Sequence, residues 1–133
     1  MSRLRWIFVM VAALSAGAAC SDDPVGSVPR SGTVTLRLTT PHADDGAMMF
    51  AVSGPPIDSA VAIKASLRLF TRRTSDSTVV GVVAGVVTNG DVVTLHVPNV
   101  AAAADYTARV VEVADRRNAV RGSLTGYALA VGP

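Results

Sequence analysis

Cysteine, tryptophan, lysine and aromatic rings are all scarce in this chain. Its 133 residues hold one cysteine (Cys20), one tryptophan (Trp6) and one lysine (Lys64), and aromatics make up 5%. A lone thiol closes no intramolecular disulfide and builds no Cys-x-x-Cys redox or zinc motif. The longest N-terminal apolar core, Trp6 to Leu14, falls well short of the ~20 residues that span a bilayer. No G-x-S-x-G, H-E-x-x-H, P-loop or G-x-G-x-x-G pattern occurs, so the common nucleophile, zinc and nucleotide motifs are absent. No segment repeats its apolar residues at a helical 3.6-residue spacing.

What is present begins at the N-terminus. Arg3 and Arg5 precede the apolar core, and Ser15-Ala16-Gly17-Ala18-Ala19 leads to Cys20. This arrangement is a secretory signal, and it resembles that of bacterial lipoproteins. The resemblance implies that Cys20 is acylated and becomes the new N-terminus. Ser21 after the cysteine then implies the outer membrane in a cell that has one. Ala16-Gly17-Ala18 also reads as an A-x-A site, so secretion of a soluble protein after cleavage at Ala18 is the alternative. The chain accordingly divides into a signal helix over 1–19, a polar Pro/Gly/Ser tether over 20–31 and a domain over 32–133. Removing the signal takes Arg3 and Arg5 with it, leaving ten basic against ten acidic side chains. Such a balance provides no electrostatic footprint for nucleic acid.

From Gly32 onward the pattern has period two. Val34, Leu36 and Leu38 alternate with Thr33, Thr35, Arg37 and Thr39. Met48, Phe50 and Val52 mark a second strand, stopped by Gly54-Pro55-Pro56. Ile63, Ala65, Leu67 and Leu69 read as the buried face of a third. Val79–Val87 and Val92–Val97 are the next two, and Tyr106–Val113 and Leu124–Val131 close the series. Asn89-Gly90 predicts a two-residue type I′ hairpin between strands four and five. Its register pairs Val86 with Val93, Ala84 with Leu95 and Val82 with Val97, an apolar face expected to be buried. In Tyr106–Val113 the alternation breaks near Glu112, which calls either for two covered faces or for a β-bulge. Ala101–Ala104 supports one helical turn and no more. About seven short strands predict an immunoglobulin-like antiparallel β-sandwich.

Three segments, Gly32-Thr-Val-Thr-Leu, Gly46-Ala-Met-Met-Phe-Ala-Val and Gly90-Asp-Val-Val-Thr-Leu-His-Val-Pro98, resemble successive strands of cohesin-like modules. Those are sandwiches related to carbohydrate-binding domains of bacterial surface proteins. Gly54-Pro55-Pro56 departs from that pattern, so dockerin binding does not follow from the resemblance.

Candidate sites are few. His42, Asp44 and Asp45 share one loop, but their spacing fits no calcium or zinc motif, and His96 reads as a half-exposed strand histidine. No catalytic set, metal site or cofactor is expected. Arg72 and Arg73, with Arg116, Arg117 and Arg121, follow two strands. Projecting on one side, they would form a cationic binding rim; otherwise they guard Val-rich strands against aggregation. Phe70 and Tyr127 are the rings available to stack a sugar, whereas Phe50 and Tyr106 read as core. The expectation is a non-enzymatic envelope protein, held to the membrane by lipid on Cys20, that binds a protein partner. A glycan- or peptidoglycan-binding module is the alternative, and a small hydrolase is the reading with least support.

Overall fold

The computed structural model describes residues 28–133. The signal segment and Cys20 lie outside the described residues. Eight strands build the domain: β1 (Gly32–Thr39), β2 (Asp45–Ser53), β3 (Ser59–Ala62), β4 (Arg68–Ser75), β5 (Thr78–Val87), β6 (Gly90–Val97), β7 (Thr107–Asp115) and β8 (Ala128–Gly132). They form two four-stranded antiparallel sheets, ordered β3-β6-β1-β8 and β4-β5-β2-β7. One 3₁₀ turn, Val100–Asp105, stands where the alanine run predicts it, capped by Asn99 Oδ1 accepting from the Ala101 N–H at 3.1 Å.

Period-two alternation does most of the building. Val34, Leu36 and Leu38 of β1 and Met48, Phe50 and Val52 of β2 are all buried, as their spacing predicts. With Val83, Val93, Leu95, Val97 and Val113 they fill one core between the sheets. Phe50 lies over Gly81 of β5, whose missing side chain leaves room for the ring edge. At the end of β2, Gly54 takes φ +146°, and a Cβ there would stand 2.7 Å from the Asp105 carbonyl. Only glycine meets both demands.

The expected hairpin is not formed. β5 pairs with β4 and β2, whereas β6 pairs with β3 and β1. The chain therefore crosses from one sheet to the other through Thr88-Asn89, with Gly90 at φ +116°. Only Gly90 of the pair takes positive φ, so the type I′ geometry is not adopted either; Asn89 Oδ1 instead accepts from the Thr40 N–H at 2.6 Å. Each of the two Val-rich strands instead becomes a central strand with a neighbour on either side, which buries more apolar surface than an isolated ribbon does. Without the hairpin, the phase of β5 is no longer tied to that of β6. Val93, Leu95 and Val97 face the core as expected, but in β5 the buried residues are Val79, Gly81, Val83 and Val87. Val86 is 49% exposed.

The third expected strand is also corrected. The stretch from Ile63 to Leu69 falls mostly between two strands, β3 at the edge of one sheet and β4, which begins at Arg68, at the edge of the other. Residues 63–67 are the crossover: Ile63 is 42% exposed while Leu67 is buried. The β7 irregularity resolves as a bulge. Met49 pairs with Glu112 and Phe50 with Val110, which leaves Val111 extra. That residue shifts the inward phase from Tyr106, Ala108 and Val110 to Val113 and sends Glu112 outward.

Replacing Gly81 with Ala drives a methyl group into the Phe50 ring. Overpacking of this kind costs about 1–3 kcal/mol. The expected outcome is a lower midpoint in urea unfolding with an unchanged slope.

Candidate functional site

Two regions qualify by chemistry: a polar cluster at one end of the sandwich and the outer side of the β4-β5-β2-β7 sheet. The cluster is centred on Asp45, the first residue of β2, which is completely buried. A carboxylate in that position needs partners for its charge and its lone pairs. Arg121 donates to Asp45 Oδ1 from Nε at 3.1 Å and from Nη2 at 2.9 Å. Tyr127 Oη donates to the two carboxylate oxygens at 2.9 and 3.1 Å, and Thr40 Oγ1 donates to Oδ2 at 2.6 Å. Arg121 Nη2 also reaches the exposed Asp44 Oδ1 at 2.6 Å. The guanidinium bonded to Asp44 holds that carboxyl below the usual carboxylate range, and the same bonds raise the Arg121 pKa.

The loop that carries Arg121 is organised by Asp115. Its Oδ1 accepts from the Ala119 N–H at 3.0 Å and the Arg117 N–H at 2.8 Å. These backbone donors lower the Asp115 pKa, that of Ala119 first. The loop then folds back on β7, where the Arg121 N–H donates to the Val113 carbonyl at 2.8 Å. In consequence the His42-Asp44-Asp45 loop already holds a cation, the Arg121 side chain. Among the described residues, no group of three or more His, Cys, Asp or Glu side chains is placed to hold a metal ion. His42 lies 5.9 Å from the Tyr127 ring, centroid to centroid. His96 is exposed on β6, away from this end.

The five arginines do not form one rim. Arg72 and Arg73 sit on β4 opposite Val80 and Val79, toward the Ser53 end of the sheet. Arg116, Arg117 and Arg121 follow Asp115, at the Asp45 end. Six or seven residues of strand separate the two groups, about 20 Å at ~3.3 Å per residue. Arg121 is spent on Asp44 and Asp45, Arg116 donates to the Ala43 carbonyl at 3.1 Å, and Arg73 donates to the Ile57 carbonyl. Arg73 thereby closes one wall of a small depression of about 110 Å³ between β3 and β4.

The second region was missed in the sequence because it depends on which strands are neighbours. Three rows run across β4, β5, β2 and β7: Arg68, Ala84, Ala47, Ala114; Phe70, Val82, Met49, Glu112; Arg72, Val80, Ala51, Arg109. None of these twelve residues belongs to the core cluster, so they form the sheet's outer side. Phe70 stands out at 63% exposed. The opposite sheet presents Thr33, Thr35, Arg37, Thr94 and His96 instead, and there Arg37 Nε is paired with Asp91 at 2.7 Å. At its far end, β4 also offers an edge with no strand beside it among the described residues. The β7 edge is partly covered, because Ala114 bridges to Val120.

No protein-family model, no curated protein and no solved structure matches this chain.

Two measurements check the cluster. Asp45→Ala strands Arg121, Tyr127 and Thr40, and loss of one partner in a buried ion pair costs about 3–5 kcal/mol; thermal unfolding should fall by roughly 15 °C or more. The chain has two tyrosines, and burial first of all raises the pKa of both Tyr106 and Tyr127. A raised pKa supplies stability that is complete below the unfolded value of about 10 and is lost as pH climbs through the folded one. Phenolate absorbance should therefore be less than half developed at the ordinary tyrosine midpoint and rise on the alkaline side of it, with stability falling over the same range.

Proposed function

We propose that this chain is a lipid-anchored, non-enzymatic protein of the cell envelope that acts as a protein-interaction module. The observation that carries the reading is the free β4 edge. It is eight residues long, exposed at every position but Leu69, and among the described residues unpaired on its outer side. An edge of this kind accepts an added strand from a partner through main-chain hydrogen bonds. The anchoring rests on the N-terminal pattern that ends in Cys20, and among the described residues no helix is long and apolar enough to cross a membrane.

The immunoglobulin-like description rests on shared neighbours: β4-β5-β2 and β3-β6 follow the D-E-B and C-F order of that sandwich. β1 beside β6 and β7 beside β2 exchange places relative to it. Glycan binding is the second reading, supported by the exposed Phe70 ring. Tyr127 adds little to it, because its hydroxyl is bonded to Asp45.

The test is a crosslinking pull-down from native envelopes, with a photo-crosslinking residue at Thr74 on β4 and, in a control, at Thr33 on the other sheet. Each is made with and without Cys20→Ala. A protein adduct from the Thr74 position alone is expected. Loss of the adduct with Cys20→Ala would mean that the lipid brings the partners together. No protein adduct from either position would overturn the reading.

A further inference from the structure

We infer that the outer side of the β4-β5-β2-β7 sheet is a docking face for an anionic lipid surface. Its middle is apolar: the half-buried Val82, Met49 and Val80 lie between the two edge strands over the buried Ala51, and Phe70 projects beside them. Its borders are cationic. Arg68 and Arg72 flank Phe70 two residues to either side on β4, and Arg109 stands on β7 across the sheet. Among the described residues, no carboxylate comes within 4 Å of any of these three arginines. The face carries one acid, Glu112, against them.

Charge complementarity selects the occupant. Guanidinium groups at the rim of an apolar face match phosphate headgroups above an acyl boundary. The arginine stems lie along apolar surface while their heads reach the phosphates. Shape agrees. Cavities lined by residues such as Thr35, Ile57, His42 and Asn99 open on other surfaces. A broad β-sheet face suits a planar partner better than one that inserts a side-chain anchor. The opposite sheet, threonine-rich and with its Arg37 charge paired, offers no such match. Lipid on Cys20, part of the function proposed above, would bring the domain to this surface. The stretch from Cys20 to Gly32 reaches at most ~40 Å. The face itself acts without the lipid.

The test therefore uses the processed chain from residue 20 with Cys20→Ala, since among the described residues the buried core runs from Val34 to Leu129. Co-sedimentation with phosphatidylcholine vesicles, with and without phosphatidylglycerol, reads binding. Binding is expected only with phosphatidylglycerol, and it should weaken with added salt. The triple variant Arg68→Gln, Arg72→Gln, Arg109→Gln should lose about a hundredfold in affinity, at about fivefold for each arginine. Phe70→Ser should weaken it further. A triple that removes the same charge elsewhere, Arg37→Gln, Arg116→Gln, Arg117→Gln, should bind as the parent does. Circular dichroism confirms that each variant is folded. No binding to anionic vesicles overturns the inference. Equal loss in the two triples overturns it too, by showing a response to net charge. A protein captured through a crosslinker at Phe70 without lipid would assign the face to an acidic protein partner instead. The β4-edge pull-down reads a different position and a different ligand, so either result can fail alone.

Discussion

The buried carboxylate of Asp45 is the constraint on which the rest of the domain depends. It starts β2, the strand held between β5 and β7, and its bonds reach Thr40 just beyond β1 and Arg121 and Tyr127 in the connection before β8. One ionised group thus fixes the ends of both sheets relative to each other. An unpartnered charge there would cost several kcal/mol, so the loop bearing Arg121 and Tyr127 is obliged to fold back over this end. With no disulfide open to a one-cysteine chain, that clasp and the apolar core are what join the sheets. The core is non-directional, whereas the clasp has geometry: four donor groups must reach two oxygens at once.

The clasp also determines which charges remain for outside partners. Arg121 and Asp44 neutralise each other, Arg116 and Arg73 turn to backbone carbonyls, and Arg37 pairs with Asp91. Arg68, Arg72 and Arg109 have no carboxylate within reach among the described residues. The two outer sides of the sandwich therefore differ in kind. One is threonine-rich, with Val61 exposed on its β3 edge strand and Arg37 paired with Asp91. The other is apolar with unpaired cations at its borders. A two-faced sandwich of this sort has a preferred orientation against any anionic or apolar surface.

Strand existence was legible because side-chain alternation in a half-buried strand is a local property. β1, the centre of β2 and β6 could each be read from their own residues, and so could the stop at Gly54-Pro55-Pro56 and the Ala101–Ala104 turn. Strand pairing was not legible. The Asn89-Gly90 step names a turn, but whether the strands it joins pair with each other or cross between sheets depends on competing partners distant in sequence. Here β2 and β4 claimed β5, while β1 and β3 claimed β6. The same blindness produced the single arginine rim. Arg72 and Arg116 both read as following strands, yet Arg72 lies within β4, and antiparallel order puts the two at opposite ends of one sheet. Asp45 read as a loop acid for a similar reason, since Arg121 and Tyr127 lie 76 and 82 residues away.

The sequence by itself determined the secondary-structure class, the inward residues of the regular strands and the glycines at turns, because steric freedom and two-residue periodicity act within a few residues. Only the tertiary structure decided strand order, the phase of β5, the bulge at Val111, the partners of Asp45 and the composition of the outer faces. Those depend on which distant segments win the competition for burial and for charge, and no short window of sequence holds both competitors.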